Sequence, residues 1–165
     1  MVCNMTGLDA LDARILLLFS REPRVGVLEA SRRLGVARGT VQARLDRLER
    51  DGVITGWAPA LDPAALGFPV SAFATLEIAQ APQRGKSGHQ PVAAHLREIP
   101  EVLEAHTITG AADLMVRLVA RSNPDLQRVI DEVVASPYVV RASTVIVLAT
   151  EIAPRVTPLL LDDVG

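Results

Sequence analysis

A short turn that contains glycine, set between two segments of helical periodicity, restricts the fold of this chain more than any other feature. Apolar side chains recur at intervals of three and four residues, which predicts helices over about 8–20, 27–34 and 38–51. Gly35 begins the turn between the second and third segments, and Gly52 follows the third segment as a helix-terminating glycine does. Helices joined in this way form a helix-turn-helix unit.

The third segment divides into an apolar face and a polar face. At about 100° per residue, Val41, Leu45 and Leu48 point inward. The polar face suits the major groove of DNA, where arginine can form two hydrogen bonds to guanine and glutamine can form two to adenine, while other arginines neutralise phosphates. The predicted DNA-binding residues are Arg38, Gly39, Thr40, Gln42, Ala43, Arg47 and Arg50 on the third helix, with Arg32 and Arg33 on the second.

Positive charge is concentrated on the same segment. The 165-residue chain has a net charge of −2, but residues 32–50 carry six arginines against Asp46 and Glu49, a local charge of +4. A solvated helix bundle would show the same periodicity, whereas the glycine turn and the clustered charge favour DNA binding. Arg44 lies on the flank of the inward face, where we expect an ion pair to the first helix rather than a base contact.

Beyond Gly52 the pattern changes from helical to extended. Residues 53–60 read as a strand or wing, with Trp57 as a packing residue at a dimer contact, and residues 61–67 read as a linker. The second half then follows the order strand-helix-strand, strand-helix-strand, which is the ferredoxin-like pattern. Its predicted strands span about 70–78, 102–109, 114–120 and 139–149, and its predicted helices span about 91–98 and from Asn123, the expected N-cap, to Pro137.

These elements predict an α+β protein of two domains. A winged helix-turn-helix domain covers residues 1–60, and a ferredoxin-like βαββαβ domain covers residues 68–151, with a loop at 80–90 and an extended tail at 152–165. A ferredoxin-like sheet has one face bare of helices, and the apolar run from Val145 to Leu148 indicates burial on both sides. We therefore expect a homodimer in which two sheets pack face to face.

The sequence lacks the motifs of metal binding and catalysis. The three histidines and the single cysteine, Cys3, do not have zinc-site spacing, and no phosphate-binding glycine loop or nucleophile elbow is present. We therefore predict no enzymatic activity, no metal and no cofactor. The single cysteine, the acidic residues near the start and the lack of a long apolar run predict a cytoplasmic protein with no membrane segment. With DNA binding, we expect it to be nucleoid-associated.

Several motifs, in the right order over roughly residues 8–151, resemble those of the Lrp/AsnC or feast/famine transcriptional regulators of bacteria and archaea. They comprise an opening helix, a helix-turn-helix, an exit into the wing and a Gly-x-x-Asp turn in the second half. The residues that carry the resemblance are Leu8, Asp9, Asp12, Ile15 and Leu16; Glu29, Ser31, Leu34, Gly35, Val36, Arg44, Leu45, Leu48 and Gly52; Val53, Ile54 and Gly56; and His106, Gly110, Asp113 and Leu114.

The resemblance implies a regulator whose ferredoxin-like (RAM-type) domain assembles dimers into octamers or similar rings and binds an amino acid or related small molecule between dimers. Carried over by position, Gly110 and Asp113 line that site, and Thr107, Thr109 and Thr144 are further candidates. Asp113 can pair with an α-ammonium group, and N–H groups of the turn can hold a carboxylate. Alternatively, Asp113 caps the turn that follows Gly110.

Two departures from the family pattern affect the predictions. The family usually has Ser or Thr at the position of Ala37, so the recognition helix is expected to begin without a side-chain cap. Ala111 and Ala112 replace an acidic and an aromatic residue of the turn. A second function therefore stays open, that of an architectural protein that wraps DNA without an effector. A third, catalysis on the ferredoxin-like half, would require His106 or Asp113.

Overall fold

The computed structural model describes residues 7–79 and 88–160. The chain forms two compact units, one made of Met1–Pro59 with Ile152–Gly165 and the other of Ala60–Glu151. No helix in the described ranges is long and apolar enough to cross a membrane.

Some sequence predictions concern the residues outside the described ranges and the C-terminal tail. Cys3 lies outside the described residues, as does most of the loop predicted at 80–90. The tail was predicted to be extended, but Thr157–Leu160 forms a 3-10 turn that contacts the first helix. Leu160 is half-buried in this turn. The proline spacing of the tail did not reveal this contact, because it joins segments far apart in sequence.

The first unit contains the predicted helices in the predicted order: α1 (Ala10–Arg21), α2 (Val27–Leu34) and α3 (Arg38–Arg50). A capping box starts α1, because the Asp9 carboxylate accepts from the Asp12 N–H at 2.9 Å and the Asp12 carboxylate accepts from the Asp9 N–H at 3.0 Å. Between α2 and α3, Gly35 adopts φ +70°, a left-handed conformation that costs other residues more than glycine. The glycine turn predicted from the sequence is confirmed.

All three helices contribute apolar side chains to the core of this unit. Val41, Leu45 and Leu48 of α3 are at most 4% exposed, as their predicted inward face requires. The buried residues of this cluster are Ile15, Phe19, Ala30, Leu34, Val41, Leu45 and Leu48. This burial fixes which face of α3 remains on the surface.

The strand predicted over residues 53–60 is not present among the described residues. The N–H groups of Val53 and Ile54 both donate to the Leu48 carbonyl, at 2.9 and 3.0 Å, and so close the end of α3. These two N–H groups therefore cannot donate to a neighbouring strand. Prediction of the strand was therefore wrong, because the helix end competes for the donors that pairing needs.

Trp57 packs against the helices of its own unit. Its indole N–H donates to Glu49 Oε1 at 2.7 Å, and its ring meets the ring of Phe19 edge-on, with the two centroids 5.5 Å apart. The side chain is still 48% exposed. Its predicted place at a dimer contact stays a prediction.

The second unit is a four-stranded antiparallel sheet with two helices. Its strand order, β2-β3-β1-β4, is that of a ferredoxin-like fold, so this prediction is confirmed. The elements are β1 (Val70–Ile78), α4 (His89–Arg97), β2 (Val102–Thr107), β3 (Leu114–Ala120), α5 (Asn123–Val134) and β4 (Val139–Ile146).

Details at the ends of these elements differ from the predictions. Ser122, and not Asn123, caps α5, because the Ser122 hydroxyl accepts from the Asp125 N–H at 3.2 Å. Strand β2 ends at Thr107, where its pairing with β3 ends opposite Leu114. Strand β4 ends at Ile146, earlier than predicted, and beyond it the Val147 N–H donates to the Ser71 carbonyl of β1 at 2.8 Å.

The two faces of the sheet have different surroundings. One face buries Ala72, Ala74 and Leu76 of β1 in a core that includes side chains of α4 and α5. The alternate residues of β1 lie on the other face, as strand periodicity requires. Val145, which pairs with Phe73 on that face, is 62% exposed within one chain. Among the described residues of this unit, the side chain of Val145 therefore stays largely uncovered on this face.

Candidate nucleic-acid interface and effector site

The outward side of α3 carries the residues predicted to meet DNA. Arg38, Gly39, Thr40, Gln42, Ala43 and Arg50 are all exposed, and Arg47 is half-buried. Because Val41, Leu45 and Leu48 are held in the core, the exposed row is the face that α3 can offer to a groove. The predicted division of α3 into two faces is confirmed.

The N-terminal end of α3 has no side-chain cap. Ala37 occupies the N-cap position with an extended backbone, and its carbonyl accepts from Thr40 N–H at 3.0 Å and from Val41 N–H at 3.2 Å. The predicted lack of a cap is therefore confirmed. Ala37 offers the first N–H groups of α3 no side-chain acceptor, an arrangement that favours an anion such as phosphate.

The arginines of the interface differ in how they are paired. Arg33 bonds Glu22 at 2.7 Å and Glu29 at 3.0 Å, and Arg32 lies 3.8 Å from Glu29. The hydrogen bonds to Glu29 and then to Glu22 hold the pKa of Arg33 above its ordinary value. These side chains are largely exposed, so their pairs are weak and can be exchanged for phosphates.

Arg38 and Arg50 have no ion pair within the part of the chain that the structure describes. Both are exposed, at opposite ends of α3. Gln42 lies between them and donates to Asp46 Oδ1 at 2.8 Å. Arg38 and Arg50 are therefore the arginines most available to an incoming phosphate or base.

Two arginines on the inner flank of α3 are held by carboxylates of α1. Arg44 pairs with Asp9 and, at 3.1 Å, with Asp12 Oδ1, while Arg47 pairs with Asp12 Oδ2. The expected ion pair from Arg44 to the first helix is confirmed. The Asp12 N–H and the Arg44 guanidinium hold the pKa of Asp9 below its ordinary value, and Asp9 raises the pKa of Arg44.

Sequence reasoning missed the partner of Arg47. Asp12 lies on the same face of α1 as Ile15 and Phe19, and its side chain is fully buried. A carboxylate in that position requires a positive partner, because an unpaired buried charge is costly. That requirement was the available signal, and Arg47 is one turn from Arg44 on the same flank.

Gly110 and Asp113 lie at the turn between β2 and β3. Gly110 has φ +120°, so this position needs glycine. Asp113 supports the local structure: its carboxylate accepts from the Ile78 N–H at 2.7 Å, and its carbonyl accepts from the Ile108 N–H at 3.0 Å. The carboxylate thereby satisfies a β1 donor beside the register shift at Glu77 and Ile78.

The further effector candidates are not all brought together. Thr107 on β2 and Thr109 are exposed beside the turn that contains Gly110. Thr144 lies on β4, at the opposite edge of the sheet. Three strand spacings separate β2 from β4, about 14 Å. One chain therefore gathers Thr107, Thr109, Gly110 and Asp113 at one end of the hairpin, without Thr144.

A cleft of about 230 Å³ lies elsewhere in this unit, between α4 and β2. Its lining includes Leu96, Arg97 and Leu103 but none of the predicted effector residues. Within the described residues, no group of three or more His, Cys, Asp or Glu side chains could hold a metal ion.

A helix-turn-helix with an exposed arginine-bearing helix, followed by a ferredoxin-like unit, defines a DNA-binding regulator. Two family models match this chain: "Winged helix-turn-helix DNA-binding" over residues 8–55 and "Lrp/AsnC ligand binding domain" over residues 71–156. The chain belongs to the Lrp/AsnC family of transcriptional regulators, as its sequence motifs indicated.

Known proteins of this family resemble the chain over most of its length. A proline dehydrogenase transcriptional activator from Rhizobium radiobacter is 32% identical over 142 residues, which are 86% of this chain and 89% of that protein. AsnC from E. coli has a TM-score of 0.81 at 26% identity and covers 92% of this chain and 99% of its own. A transcriptional regulator from Neisseria meningitidis, solved with L-methionine, has a TM-score of 0.78 at 25% identity, with 91% and 95% covered.

Proposed function

We propose that this regulator reads a specific DNA sequence through the outward face of α3. The observation that carries the proposal is the exposure of Arg38, Thr40 and Gln42 on a helix whose opposite row is locked in the core. Arg38 and Gln42 read base edges, and Thr40 contacts a phosphate or a thymine methyl. Gly39 and Ala43 let the backbone approach the groove. The sequence-independent contacts to phosphates come from Arg50, Arg32 and Arg33.

Selection of duplexes from a random pool tests sequence-specific binding. The protein is expected to enrich a two-fold symmetric site and to bind it at least about 10³ times more tightly than random DNA at physiological salt. The symmetry is expected because a dimer presents two copies of α3. Failure to enrich any site at moderate salt would contradict the proposal.

Self-association of residues 68–151 brings several copies of α3 together in one assembly. Phe73, Met115 and Val145 lie on the face of the sheet opposite the helices, and Val145 is largely exposed there. These apolar side chains support a dimer formed by two such faces, which then assembles into an octamer or similar ring. Val145→Glu should dissociate the dimer in sedimentation velocity, whereas Val134→Lys, on the exposed side of α5, should leave it intact. A Val145→Glu protein that sediments as the wild type does would exclude this face.

An amino acid is the proposed effector, bound near Gly110 and Asp113 between dimers. The Neisseria relative solved with L-methionine supports this class of ligand, as does the exposed hairpin end with Thr107 and Thr109. Thr144 could contribute only from another chain, given its place at the opposite edge. This effector response distinguishes the regulator from an architectural DNA-wrapping protein.

A thermal-shift screen of the amino acids tests the effector. At least one should raise the melting temperature of the wild type and have no effect on Asp113→Asn, which keeps an acceptor for the Ile78 N–H. Glu98→Gln, an exposed carboxylate on the same unit, is the matched control. Should no amino acid shift the melting temperature of the wild type, the architectural function would be favoured.

We propose no enzymatic role, and place the protein on the nucleoid in the cytoplasm.

A further inference from the structure

Helix α1 supplies charged side chains to both other helices of its unit. Arg14 donates from Nη2 to the Leu34 carbonyl at the end of α2, at 3.1 Å. Asp9 and Asp12, at the start of α1, reach α3. These contacts span 20 to 35 positions in sequence. The orientation of the helix-turn-helix is therefore set by polar contacts as well as by its apolar core.

Asp12 is the centre of this arrangement. Its side chain is fully buried, and its two oxygens accept from Arg44, from Arg47 and from the Asp9 N–H. Arg44 and Arg47 are three positions apart and lie on one flank of α3. Because one carboxylate binds both, it restrains the rotation of α3 about its own axis.

The pairs of Asp12 differ in kind from the other ion pairs near α3. Arg32 and Arg33 are paired with exposed glutamates, so a phosphate can replace these partners at little cost. Removing an arginine from Asp12 would leave a buried carboxylate unpaired, which is strongly unfavourable. Arg47 is thus expected to keep its ion pair with Asp12 when the protein binds DNA. Arg50, three positions further on, has no described ion-pair partner.

We propose that Asp12 is a positioning residue for DNA recognition, which withholds Arg47 from phosphate contact and fixes the rotation at which α3 presents Arg38 and Gln42. The proposal rests on the proposed function of α3. It divides the arginines of one helix into a structural set, Arg44 and Arg47, and a DNA-contacting set, Arg38 and Arg50.

A matched pair of variants tests this division. Arg47→Met and Arg50→Met each remove one charge from α3 and keep an apolar stem. Their affinities for a random 30-base-pair duplex are measured over a range of salt concentrations. Arg50→Met is expected to reduce the slope of log K against log salt by about 0.9 per chain bound, and Arg47→Met is expected to leave the slope unchanged. A reduction by Arg47→Met equal to that of Arg50→Met would overturn the proposal.

Asp12→Asn tests the positioning role on its own. This change keeps the shape of the side chain but removes the charge that holds Arg47. We expect the preference for a duplex selected by the wild type over the random duplex to fall at least about tenfold, while the salt slope on random DNA becomes steeper as Arg47 is released.

A purely structural role for Asp12 predicts a different result. Loss of folded protein would reduce the affinity for both duplexes by one factor and leave the salt slope unchanged, and that outcome would overturn the proposal. Fluorescence of Trp57, which packs against Phe19, reports the folded fraction. If Asp12→Asn does not fold, the comparison of Arg47→Met with Arg50→Met tests the proposal. If the wild type selects no duplex, the proposed function fails, but the slope comparison on random DNA remains decisive for the division.

Discussion

The helix-turn-helix unit and the sheet unit are stabilised by different means. The core of the first is a small apolar cluster beside a fully buried carboxylate, Asp12, whose partners are arginines of another helix. The core of the second is a larger, apolar cluster contributed by the sheet and its two helices. The difference indicates that the DNA-binding unit depends on a charged pair for its geometry, whereas the sheet unit depends on apolar burial.

The chain carries a natural probe for each unit. Its single tryptophan, Trp57, belongs to the helix-turn-helix unit, and its single tyrosine, Tyr138, packs against the core of the sheet unit. Urea titrations followed by Trp57 fluorescence read the first unit. The same titrations in a Trp57→Phe background, where indole no longer masks tyrosine absorbance, read the second unit at Tyr138.

The largest effect is expected at the buried charge. Asp12→Ala should lower the free energy of unfolding read at Trp57 by about 3–5 kcal/mol, because it removes a fully buried carboxylate that two arginines share. Arg44 would keep its pair with Asp9, but Arg47 would lose its one described carboxylate partner. Asp46→Ala, an exposed acidic residue on α3, should change it by less than about 0.5 kcal/mol. A cost below about 1 kcal/mol for Asp12→Ala would show that this pair behaves as an exposed one.

An apolar deletion tests the other side of the comparison. Leu118 on β3 is fully buried, so Leu118→Ala should lower the free energy of unfolding read at Tyr138 by about 3 kcal/mol through lost burial and the cavity left behind. Leu103→Ala, at a half-exposed position on β2, serves as the control and should cost much less. Equal costs at the two positions would mean that the cluster around Leu118 is not the main source of stability.

The helix caps give a smaller contrast between the units. Ser122 caps α5, so Ser122→Ala should cost about 1 kcal/mol at Tyr138, whereas Ala37→Ser should add about 0.5–1 kcal/mol at Trp57 by supplying the cap that α3 lacks. The same urea titrations measure both changes. If Ala37→Ser gave no gain, the first turn of α3 would already be stabilised by other means.

Low pH should weaken the contact between α1 and α3 that Asp9 makes with Arg44. The pKa of Asp9 is lowered in the folded protein from an ordinary value of 3.8. Its contribution is therefore fully present above the unfolded pKa and is lost as the pH falls through the lower folded pKa. Urea midpoints read at Trp57 should decrease more steeply below about pH 4 for the wild type than for Asp9→Asn, since asparagine still caps the helix. If the urea midpoints of the two proteins decreased in parallel with falling pH, the acid sensitivity would arise from groups other than Asp9.

Much of this architecture follows from local sequence patterns, and the exceptions have physical causes. The faces of α3 and the order of strands were predicted, because periodicity and glycine placement act within a few residues. The strand at 53–60 was not, since the end of α3 takes the amides of Val53 and Ile54. Neither the partner of Arg47 nor the separation of Thr144 from Thr107 could be derived from spacing, because both depend on contacts distant in sequence.

Sequence selection with Arg38→Met, compared with the wild type, tests the central claim most directly. If the exposed row of α3 reads bases, the variant should lose its preference at one base pair of each half-site, a loss of about 1–3 kcal/mol of discrimination, and keep its preference elsewhere. An unchanged preference at every position would show that Arg38 reads no base and that the recognition surface lies elsewhere on the protein.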